Sequence, residues 1–453
     1  MIETVRKYFC EGNPRSVTAK KHIMGSFLVR AASICISLVM VPLTISYVNP
    51  ARYGIWLVLS SVVGWVGFFD VGLTNGLRNR FAEAKARGEH LLARSYVSTA
   101  YVALGTIFGS LLVVLLAVNH FLDWGGLLNI QHAAEERISS VAAIIISYFC
   151  LLFVLRIVGT LLTADQKPAI SSLLDMLGQL ISLGVIFVLT RTGSGSLMNL
   201  TLALCLPTIA VLLLAHLYLY RSTCAPYAPS FRLAQRAQVK DLLGLGMRFF
   251  IPNLAFLIQF QTTSFLIAHY FDVTQVTSYN IAFKYFSVLN MVFTIVTTPL
   301  WSSVTDSYNR GDEAWIRHVV NKYLQVFLLF VVAALLMLVF SSTVYDLWVG
   351  KYNVHVSFKI SLNCCLFVIT VMFGNIFVSV LNGIGALRLQ ILASLVTPVL
   401  FLLTSLLLVL KFQTGVEGIL IASIISNVFG VVIAPIQYYQ VFIAKSAAKV
   451  WYA

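Results

Sequence analysis

The sequence is short of charged residues, and of acidic residues above all. Only 11% of its 453 residues are charged, with 17 Asp and Glu against 31 Lys and Arg, whereas a soluble domain carries roughly a quarter charged residues. Hydrophobic residues make up 59% of the chain. This composition excludes a water-soluble globular protein and indicates an integral membrane protein.

The sequence also lacks the common signatures of catalytic and metal sites. It contains no phosphate-binding glycine loop of the GxxxxGK[ST] type and no HExxH pair. Its seven cysteines lie mostly inside apolar runs, at spacings that indicate neither a metal cage nor a disulfide framework. We therefore predict no cofactor, no metal and no catalytic residues, hence a protein that is not an enzyme.

Apolar runs of about 20 residues, the length that crosses a hydrocarbon core of roughly 30 Å as a helix, recur along the whole chain. Backbone groups in lipid must be paired within their own segment, and no run shows the alternation of a barrel strand. The prediction is an all-α polytopic membrane protein with about twelve spanning helices. They cover residues 23–48, 53–69, 96–118, 138–162, 169–189, 197–220, 242–271, 278–300, 319–340, 358–381, 389–410 and 418–444.

Lysine and arginine are distributed unevenly between the two sides of these spans. With the N-terminus inside, 21 of the 31 basic residues fall on the inner side and 6 on the outer side. The positive-inside rule then predicts a cytoplasmic N-terminus and a cytoplasmic C-terminus. The net charge of +14 follows from this bias and from attraction to anionic inner-leaflet lipids, so nucleic acid is not an expected partner.

An internal repeat appears when the sequence is shifted by 223 positions. The shift superposes Glu83 on Asp306, Arg94 on Arg317, and 87–89 on 310–312. We predict two six-helix lobes in the same orientation, residues 1–220 and 244–453, joined by a basic cytoplasmic connector at 221–243. Parallel repeats of this kind are found in transporters whose lobes rock about a central site.

Polar side chains form stripes on the first helices of both lobes. Placing them against lipid would leave them without partners, so we expect each stripe to face a wet cavity or another helix. The predicted cavity lining comprises Ser33, Ser37, Gln259, Thr262, Asn280 and Ser287. Arg30, Arg248 and Lys284 lie on the same helices, where they face the cavity or extend along the helix to the headgroups.

Three further charged residues sit near or within the spans of the first lobe. Arg156 and Asp175 fall at similar depth on consecutive helices, which predicts a structural ion pair or, alternatively, a site for coupling to an ion gradient. Asp70, at the inner end of the second span, is the other carboxylate that could serve in coupling. Trp56 is expected near the outer membrane interface.

The beginning of the chain resembles a known family. The similar segments are Val41-Pro42-Leu43, Tyr53-Gly54-Ile55-Trp56, and the stretch from Phe69-Asp70-Val71-Gly72-Leu73 to Gly76-Leu77-Arg78-Asn79. They resemble the start of Wzx-like polysaccharide and O-antigen flippases of the multidrug/oligosaccharidyl-lipid/polysaccharide (MOP) superfamily. The two-lobe, twelve-helix layout fits the same superfamily.

This resemblance implies a MATE-like fold in a bacterial inner membrane and an undecaprenyl-pyrophosphate-linked oligosaccharide as cargo. It implies membrane lipids and polysaccharide assembly proteins as further partners, and arginines that bind the diphosphate, a role carried here onto Arg30 and Arg248. Lys284 is expected to share that role. The first helix departs from some drug-exporting MATE relatives because it has no acidic residue for ion coupling.

Two other functions remain open on the sequence. A cation-coupled small-molecule antiporter would need Asp70 or Asp175 as its titrating group. A membrane-embedded glycosyltransferase or polymerase would need catalytic carboxylates in an outer loop, where the candidates are Asp123, the 135–136 glutamate pair and Asp346. These loops are short, and Asp123 matches Asp346 in the repeat, as scaffold residues would.

Overall fold

The computed structural model describes residues 14–70, 72–128, 137–193, 195–352, 354–445 and 451. Within these ranges, the side chains of residues 14–24, 26, 27, 68, 245–257, 302 and 351 lie outside the description. The chain divides into two compact units, Met1–Phe250 and Ile251–Ala453. We call them the N-terminal unit and the C-terminal unit.

The described residues of the N-terminal unit form nine helices and the first part of a tenth. They are α1 (Pro14–Val48), α2 (Pro50–Gly64), α3 (Leu73–Ala86), α4 (His90–Phe121), α5 (Trp124–Leu127), α6 (Ile138–Leu155), α7 (Ile157–Ala164), α8 (Pro168–Thr192), α9 (Leu197–Leu219) and α10 (Arg236–Tyr270). Three 3₁₀ segments, Trp65–Asp70, Ala225–Tyr227 and Phe231–Leu233, lie between them.

The C-terminal unit continues with longer, mostly unbroken helices. They are α11 (Val273–Asn309), α12 (Glu313–Val339), α13 (Ser341–Val349), α14 (Phe358–Ile384), α15 (Arg388–Leu406), α16 (Val416–Ser426) and α17 (Ala434–Phe442). Two π-helical segments, Leu407–Lys411 and Phe429–Ile433, extend α15 and link α16 to α17. A 3₁₀ turn, Gly350–Tyr352, follows α13. No strand occurs in the described ranges of either unit.

Helix lengths and hydropathy confirm the predicted fold class. Ten helical segments of the described residues are long and apolar enough to cross a membrane. The two predicted spans outside this set are the second, which is divided between α2 and the 3₁₀ segment Trp65–Asp70, and the seventh, which lies in α10. With these two, the described residues are consistent with the about twelve spans that the apolar runs predict.

The repeat predicted from the 223-residue shift is visible in the backbone. Gly88 and Gly311 both adopt left-handed φ angles, +77° and +76°, and each starts the same turn between two long helices. In that turn, the N–H of Glu89 donates to the Ala84 carbonyl and the N–H of Asp312 to the Ser307 carbonyl, both at 2.9 Å. Equal geometry at positions 223 residues apart supports a duplicated lobe.

The same correspondence extends to two arginines. The Arg94 side chain donates from Nε to the Ala228 carbonyl at 2.8 Å, and Arg317 donates from Nη1 to the Phe442 carbonyl at 3.1 Å. Arg94 thus fastens α4, which carries the third span, to the segment after the sixth span, and Arg317 fastens α12 to the last residue of α17. A charged donor to a backbone carbonyl is one of the stronger hydrogen bonds in proteins.

The connector, residues 221–243, is fastened to α3 and to the N-terminal part of α4. The Gln238 side chain, which is buried, accepts hydrogen bonds from Ser95 at 3.0 Å and Thr99 at 2.8 Å. Asp241 accepts a hydrogen bond from the Tyr96 hydroxyl at 2.6 Å and pairs with Arg80. The connector is therefore a packed part of the N-terminal unit and does not run free in solvent.

Candidate functional site

The N-terminal unit contains a cavity whose wall carries four charged side chains. We call it the charged cavity, and its volume is about 420 Å³. Its residues come from the 3₁₀ segment, α3, α6 to α9 and the junction between α6 and α7. They are Asp70, Thr74, Asn75, Arg78, Phe153, Arg156, Gly159, Thr160, Thr163, Ser171, Leu174, Asp175 and Leu212.

Asp70 reaches this cavity because the helical chain breaks beside it. The 3₁₀ segment ends at Asp70, and Gly72 takes a left-handed φ of +80° as the N-cap of α3. Glycine adopts this conformation without the steric cost that a side chain would add. The Asp70 carboxylate then accepts hydrogen bonds from the Thr74 hydroxyl at 2.5 Å and the Thr74 N–H at 3.3 Å. It thereby caps the first turn of α3.

Arg156 and Asp175 face each other across the charged cavity. Arg156 lies at the junction of α6 and α7, and its Nη2 is 3.5 Å from Oδ1 of Asp175 on α8. Both side chains are about half exposed, 53% and 44%. The pair therefore meets in an accessible space, where each charge retains partial hydration and can exchange its partner for a ligand.

Close contacts between small residues bring α8 against its neighbours. A methyl group added at Gly159 on α7 would approach the Ser171 hydroxyl to 2.8 Å, and one at Gly178 on α8 would lie 3.0 Å from the Thr208 backbone. These glycines let the helices pack closely, as small residues do in membrane proteins generally. The polar face of α8 is consequently held toward the interior of the unit.

A second, smaller cavity continues along the same face of α8. We call it the middle cavity; it has a volume of about 210 Å³, and its wall includes Gln179, Ser182, Tyr148, Thr208 and Trp56. Ser182 lies seven residues beyond Asp175, or about 10 Å along the helix. Trp56, predicted near the outer interface, lines this cavity, and its ring plane is nearly parallel to that of Tyr53 with 6.3 Å between the ring centroids.

The interior of the C-terminal unit is different. A pocket of about 20 Å³ lies between α10, α11, α14 and α16, lined by Gln259, Phe260, Thr263, Tyr279, Phe283, Asn363, Cys364, Phe367, Leu420 and Ser423. This volume holds one or two water molecules. The Gln259 side chain donates to the Ser423 carbonyl at 3.1 Å and so ties α10 to α16. We call this space the aromatic pocket.

The residues predicted on the first helix occupy a partly accessible face of α1. Arg30 is exposed, and Ser33 and Ser37 are half-buried. Among the described residues, no carboxylate lies within ion-pair distance of Arg30. The side chain of Arg248, its predicted counterpart, lies outside the described residues.

The predicted residues of α10 and α11 lie in varied surroundings. Lys284 is half-buried and forms no ion pair within the described ranges, and the Ser287 hydroxyl donates to its backbone carbonyl at 2.9 Å. Asn280 has a buried side-chain oxygen without a partner in the same part of the chain. Thr262 is 5% exposed and is packed inside the unit.

The charged cavity contains residues that the sequence analysis did not single out. Arg78 is named from the sequence only within the segment that resembles the flippase family, and Thr74 and Asn75 are assigned no role there. A helical projection starting at Leu73 would have placed Asn75 and Arg78 three residues apart on one face. The signal was therefore available once the helix start at Gly72 was known.

The carboxylates proposed for an enzyme do not form a site in the described residues. Asp123 is the N-cap of the short α5 and accepts a hydrogen bond from the Gly125 N–H at 3.0 Å. Asp346 is exposed on α13, and the 135–136 pair lies outside the described residues. No cluster of three metal-binding side chains occurs in the part of the chain that the structure describes. Asp123 thus has a structural role as a helix cap.

Comparison with known proteins connects these features to a family. Residues 20–305 match the sequence model of a family described as "Polysaccharide biosynthesis protein". A protein of Yersinia pseudotuberculosis named "Putative O-antigen export protein" is 20% identical over 331 residues, covering 71% of this chain and 72% of that protein.

Solved structures show the same fold. The inward-facing conformation of a multidrug resistance MATE family transporter of the MOP superfamily aligns with a TM-score of 0.75, covering 92% of this chain and 96% of that chain at 13% identity. The outward-facing conformation of such a transporter aligns with a TM-score of 0.66, covering 97% and 99% at 13% identity. The resemblance and the MATE-like fold expected from the sequence are therefore confirmed. The chain is a multi-pass membrane protein that belongs to the polysaccharide biosynthesis protein family and has the fold of MOP-superfamily transporters.

Proposed function

We propose that this protein is a flippase that moves an undecaprenyl-pyrophosphate-linked oligosaccharide from the inner to the outer leaflet of a bacterial inner membrane by alternating access. The observation that supports it most is the charged cavity, which holds Arg78 and Arg156 within a membrane-spanning unit of a polysaccharide biosynthesis family member. In this proposal both termini are cytoplasmic and the cell uses the exported glycan for surface polysaccharide.

The chemistry of the cargo suits such a cavity. Each sugar hydroxyl that enters hydrocarbon without a partner costs several kcal/mol, so the headgroup needs a polar path. Guanidinium groups bind phosphate oxygens in a bidentate, planar geometry, which ammonium groups cannot do. Arg30, Arg248 and Lys284 are proposed to bind the diphosphate, and Arg78 and Arg156 join them as further cationic groups.

The polar residues on the same helices are proposed to contact the sugar hydroxyls. In the middle cavity, Gln179, Ser182 and Thr208 provide donors and acceptors, and Trp56 provides an aromatic face. Outward movement of an anionic headgroup gains about 2.3 kcal/mol per charge for each 100 mV of inside-negative potential. The membrane potential alone can therefore bias the direction of flipping.

A cation-coupled small-molecule antiporter is the second candidate, because two carboxylates line the charged cavity. Asp70 and Asp175 are both partly accessible there, so they could bind a cation or a proton in exchange for a substrate. The antiporter would give cells resistance to cationic drugs, and loss of either carboxylate would remove that resistance without changing the surface glycan.

The decisive experiment compares Arg30→Ala with Arg30→Lys in cells that lack the chromosomal gene. We expect Arg30→Ala to abolish surface glycan and Arg30→Lys to retain part of it, because lysine keeps the charge but not the fork geometry. Lys322→Ala, which removes an exposed cation on α12, is the matched control and should export normally. Membrane content of each variant is measured by immunoblot.

Normal surface glycan in Arg30→Ala cells at equal membrane content would contradict the role assigned to Arg30. Normal glycan in cells that lack the protein altogether would contradict the flippase proposal itself. Drug resistance that depends on Asp70 or Asp175 would favour the antiporter instead.

A further inference from the structure

A groove separate from the charged cavity runs along α4 beneath the connector. Its volume is about 460 Å³, and its wall includes Tyr101, Val102, Gly105, Val154, Pro229 and Phe231. The first three belong to α4, Val154 to α6, and the last two to the connector. We call it the connector groove.

Most side-chain hydroxyls in the wall of the connector groove are already hydrogen-bonded. The Ser98 hydroxyl donates to the Arg94 carbonyl at 2.8 Å and accepts from the Ser230 N–H at 3.0 Å. The Thr106 hydroxyl donates to the Val102 carbonyl at 2.8 Å. Apart from the Ser230 hydroxyl, the described wall therefore offers an occupant mainly carbon surface, which favours an acyl chain over a sugar or a phosphate in the groove itself.

Tyr101 is fixed in the wall by a chain of hydrogen bonds. The His216 ring contacts the Leu212 carbonyl through Nδ1 at 2.8 Å, which requires Nδ1 to carry the proton. Nε2 then accepts from the Tyr101 hydroxyl at 2.7 Å, and Tyr101 accepts from the Tyr220 hydroxyl at 2.9 Å. This side of the groove is thus held in place before any occupant arrives.

The groove has a length that suits a lipid chain. It extends along α4 from Ser98 to Thr106, about 12 Å at 1.5 Å per residue, which is close to the thickness of one leaflet of a hydrocarbon core of about 30 Å. Phe231 borders it with 88% of its surface exposed. On α9, the helix that carries His216, Leu214 and Tyr218 are also exposed, at 65% and 71%. Such apolar exposure is expected where the surface faces lipid.

The connector beside the groove is basic. Arg94 uses only Nε to reach the Ala228 carbonyl, and Arg232 is exposed directly after Phe231. Arg236 and Lys240 are exposed further along the connector. Within the described residues, no carboxylate lies within ion-pair distance of these four side chains. Their charges are therefore available to an anion.

We propose that the connector groove is a binding site for an anionic glycerophospholipid of the cytoplasmic leaflet. One acyl chain occupies the groove between α4 and Phe231, and the lipid phosphate lies between Arg94 and Arg232. The proposal rests on the cytoplasmic placement of the connector, which belongs to the proposed function. The groove is too short for a polyprenyl chain, which extends well beyond one leaflet, so the occupant is a membrane phospholipid and not the cargo.

A space-filling pair of variants tests the acyl-chain part of the site. Gly105 lines the groove, and Gly109 lies one turn further along α4, outside the groove wall. A Cβ atom added at either glycine would meet nothing within 4 Å. The full-length protein is purified in detergent, titrated with phosphatidylglycerol or phosphatidylcholine, and analysed by native mass spectrometry. We expect Gly105→Phe to lower phosphatidylglycerol binding at least 10-fold and Gly109→Phe to leave it within 2-fold of wild type.

A charge-removing variant tests the headgroup part. Wild type should bind phosphatidylglycerol about 10-fold more tightly than phosphatidylcholine, as expected from a gain of ~1 kcal/mol for each basic residue near an anionic lipid surface. Arg232→Gln with Arg236→Gln should remove this preference, whereas Lys322→Gln should keep it.

The proposal is overturned if Gly105→Phe binds phosphatidylglycerol as wild type does, or if wild type does not distinguish the two lipids. It is also overturned if undecaprenyl phosphate binds in a Gly105-dependent manner and phosphatidylglycerol does not, because the groove would then hold the cargo lipid. These binding measurements use purified protein and do not depend on glycan export. A negative result would therefore overturn the lipid-site proposal and leave the export experiment on Arg30 unaffected.

Discussion

The two units contain related helices, but the helices of the N-terminal unit are broken where those of the C-terminal unit run on. The helical chain breaks at Gly72, just after the second span, whereas Ile295, at the 223-residue offset, lies within the continuous α11. The fourth span divides at Arg156 between α6 and α7, whereas α14 continues through Ile376, which lies equally far from its helix start. Each break occurs next to a charged residue of the charged cavity.

The charged residues of the cavity also differ between the two units. Asp70 and Arg78 correspond at the 223-residue offset to Phe293 and Trp301. Asp175 corresponds to Leu395 when α8 and α15 are aligned on their first residues. The two units thus share the turns at Gly88 and Gly311 and the fastening arginines, whereas the charged cavity, among the described residues, lies in the N-terminal unit. The paired charges Arg156 and Asp175 have uncharged residues, Ile376 and Leu395, at the aligned positions of the C-terminal unit.

Giving the N-terminal unit the residues of the C-terminal unit is expected to have the largest effect. Arg156→Ile combined with Asp175→Leu should lower glycan export at least 100-fold, because the cavity would lose one of its two cations, Arg156, and the carboxylate that pairs with it. Surface glycan per unit of membrane-inserted protein measures the effect. The exchanged pair Arg156→Asp with Asp175→Arg should restore part of the export.

The matched control lies in the C-terminal unit. Asn363→Leu, in the aromatic pocket, should reduce export less than 5-fold. Equal losses from the two units would show that the charged cavity has no special part in transport.

The backbone break is expected to give the next largest effect. Gly72→Ile places a β-branched residue at a φ of +80°, which costs about 1–3 kcal/mol, and should lower the thermal midpoint of the purified protein. Gly105→Ala, within the regular part of α4, should leave the midpoint unchanged or raise it slightly. An unchanged thermal midpoint in Gly72→Ile would contradict the requirement for glycine at the break between the 3₁₀ segment and α3.

The fastening arginines should give equal and smaller effects in the two units. Arg94→Gln and Arg317→Gln each remove one charged hydrogen bond to a backbone carbonyl, and each should destabilise the protein by about 1 kcal/mol. Thermal unfolding of the two variants and of their combination measures this. A large effect from one and none from the other would contradict the duplicated scaffold.

Acid should weaken the loop of the N-terminal unit that joins α7 and α8. Partial burial would raise the pKa of Asp165, but its hydrogen bonds from Lys167 and Lys85 outweigh burial and hold that pKa below its ordinary value. The stabilisation is therefore present above the ordinary pKa of a free aspartate and is lost as the pH falls through the lowered value.

The C-terminal unit has Gly385 and Ala386 in the corresponding loop between α14 and α15, so it lacks this dependence. Limited proteolysis between pH 3 and pH 7 should show acid-dependent cleavage at 165–167 and not at 385–387. Asp165→Asn should make the first site insensitive to pH. Equal pH dependence at both loops would contradict the assignment.

The sequence predicted the spans well because long apolar runs fix both their type and their length. The sequence also predicted Arg156 and Asp175 at a similar depth in the membrane. Both depths follow from counting residues along consecutive helices, because each residue advances an α-helix by the same distance. In the sequence, the break at Gly72 was visible only as an uncertain end of the second span. A single glycine with a left-handed φ angle does not change the hydrophobic periodicity from which helix ends are predicted. The break at Arg156 lies within an unbroken apolar pattern, and its pairing depends on how α6, α7 and α8 pack. Such packing cannot be obtained from one-dimensional periodicity.

Thiol accessibility tests most directly whether water reaches the charged cavity at position 175 and does not reach the aligned position 395 of the C-terminal unit. In a background where all seven cysteines are replaced, Asp175→Cys and Leu395→Cys are treated with a charged methanethiosulfonate reagent, which reacts with thiolates in contact with water. The account predicts rapid labelling at 175 and at least 10-fold slower labelling at 395. Equal rates at the two positions, or no labelling at 175, would contradict it.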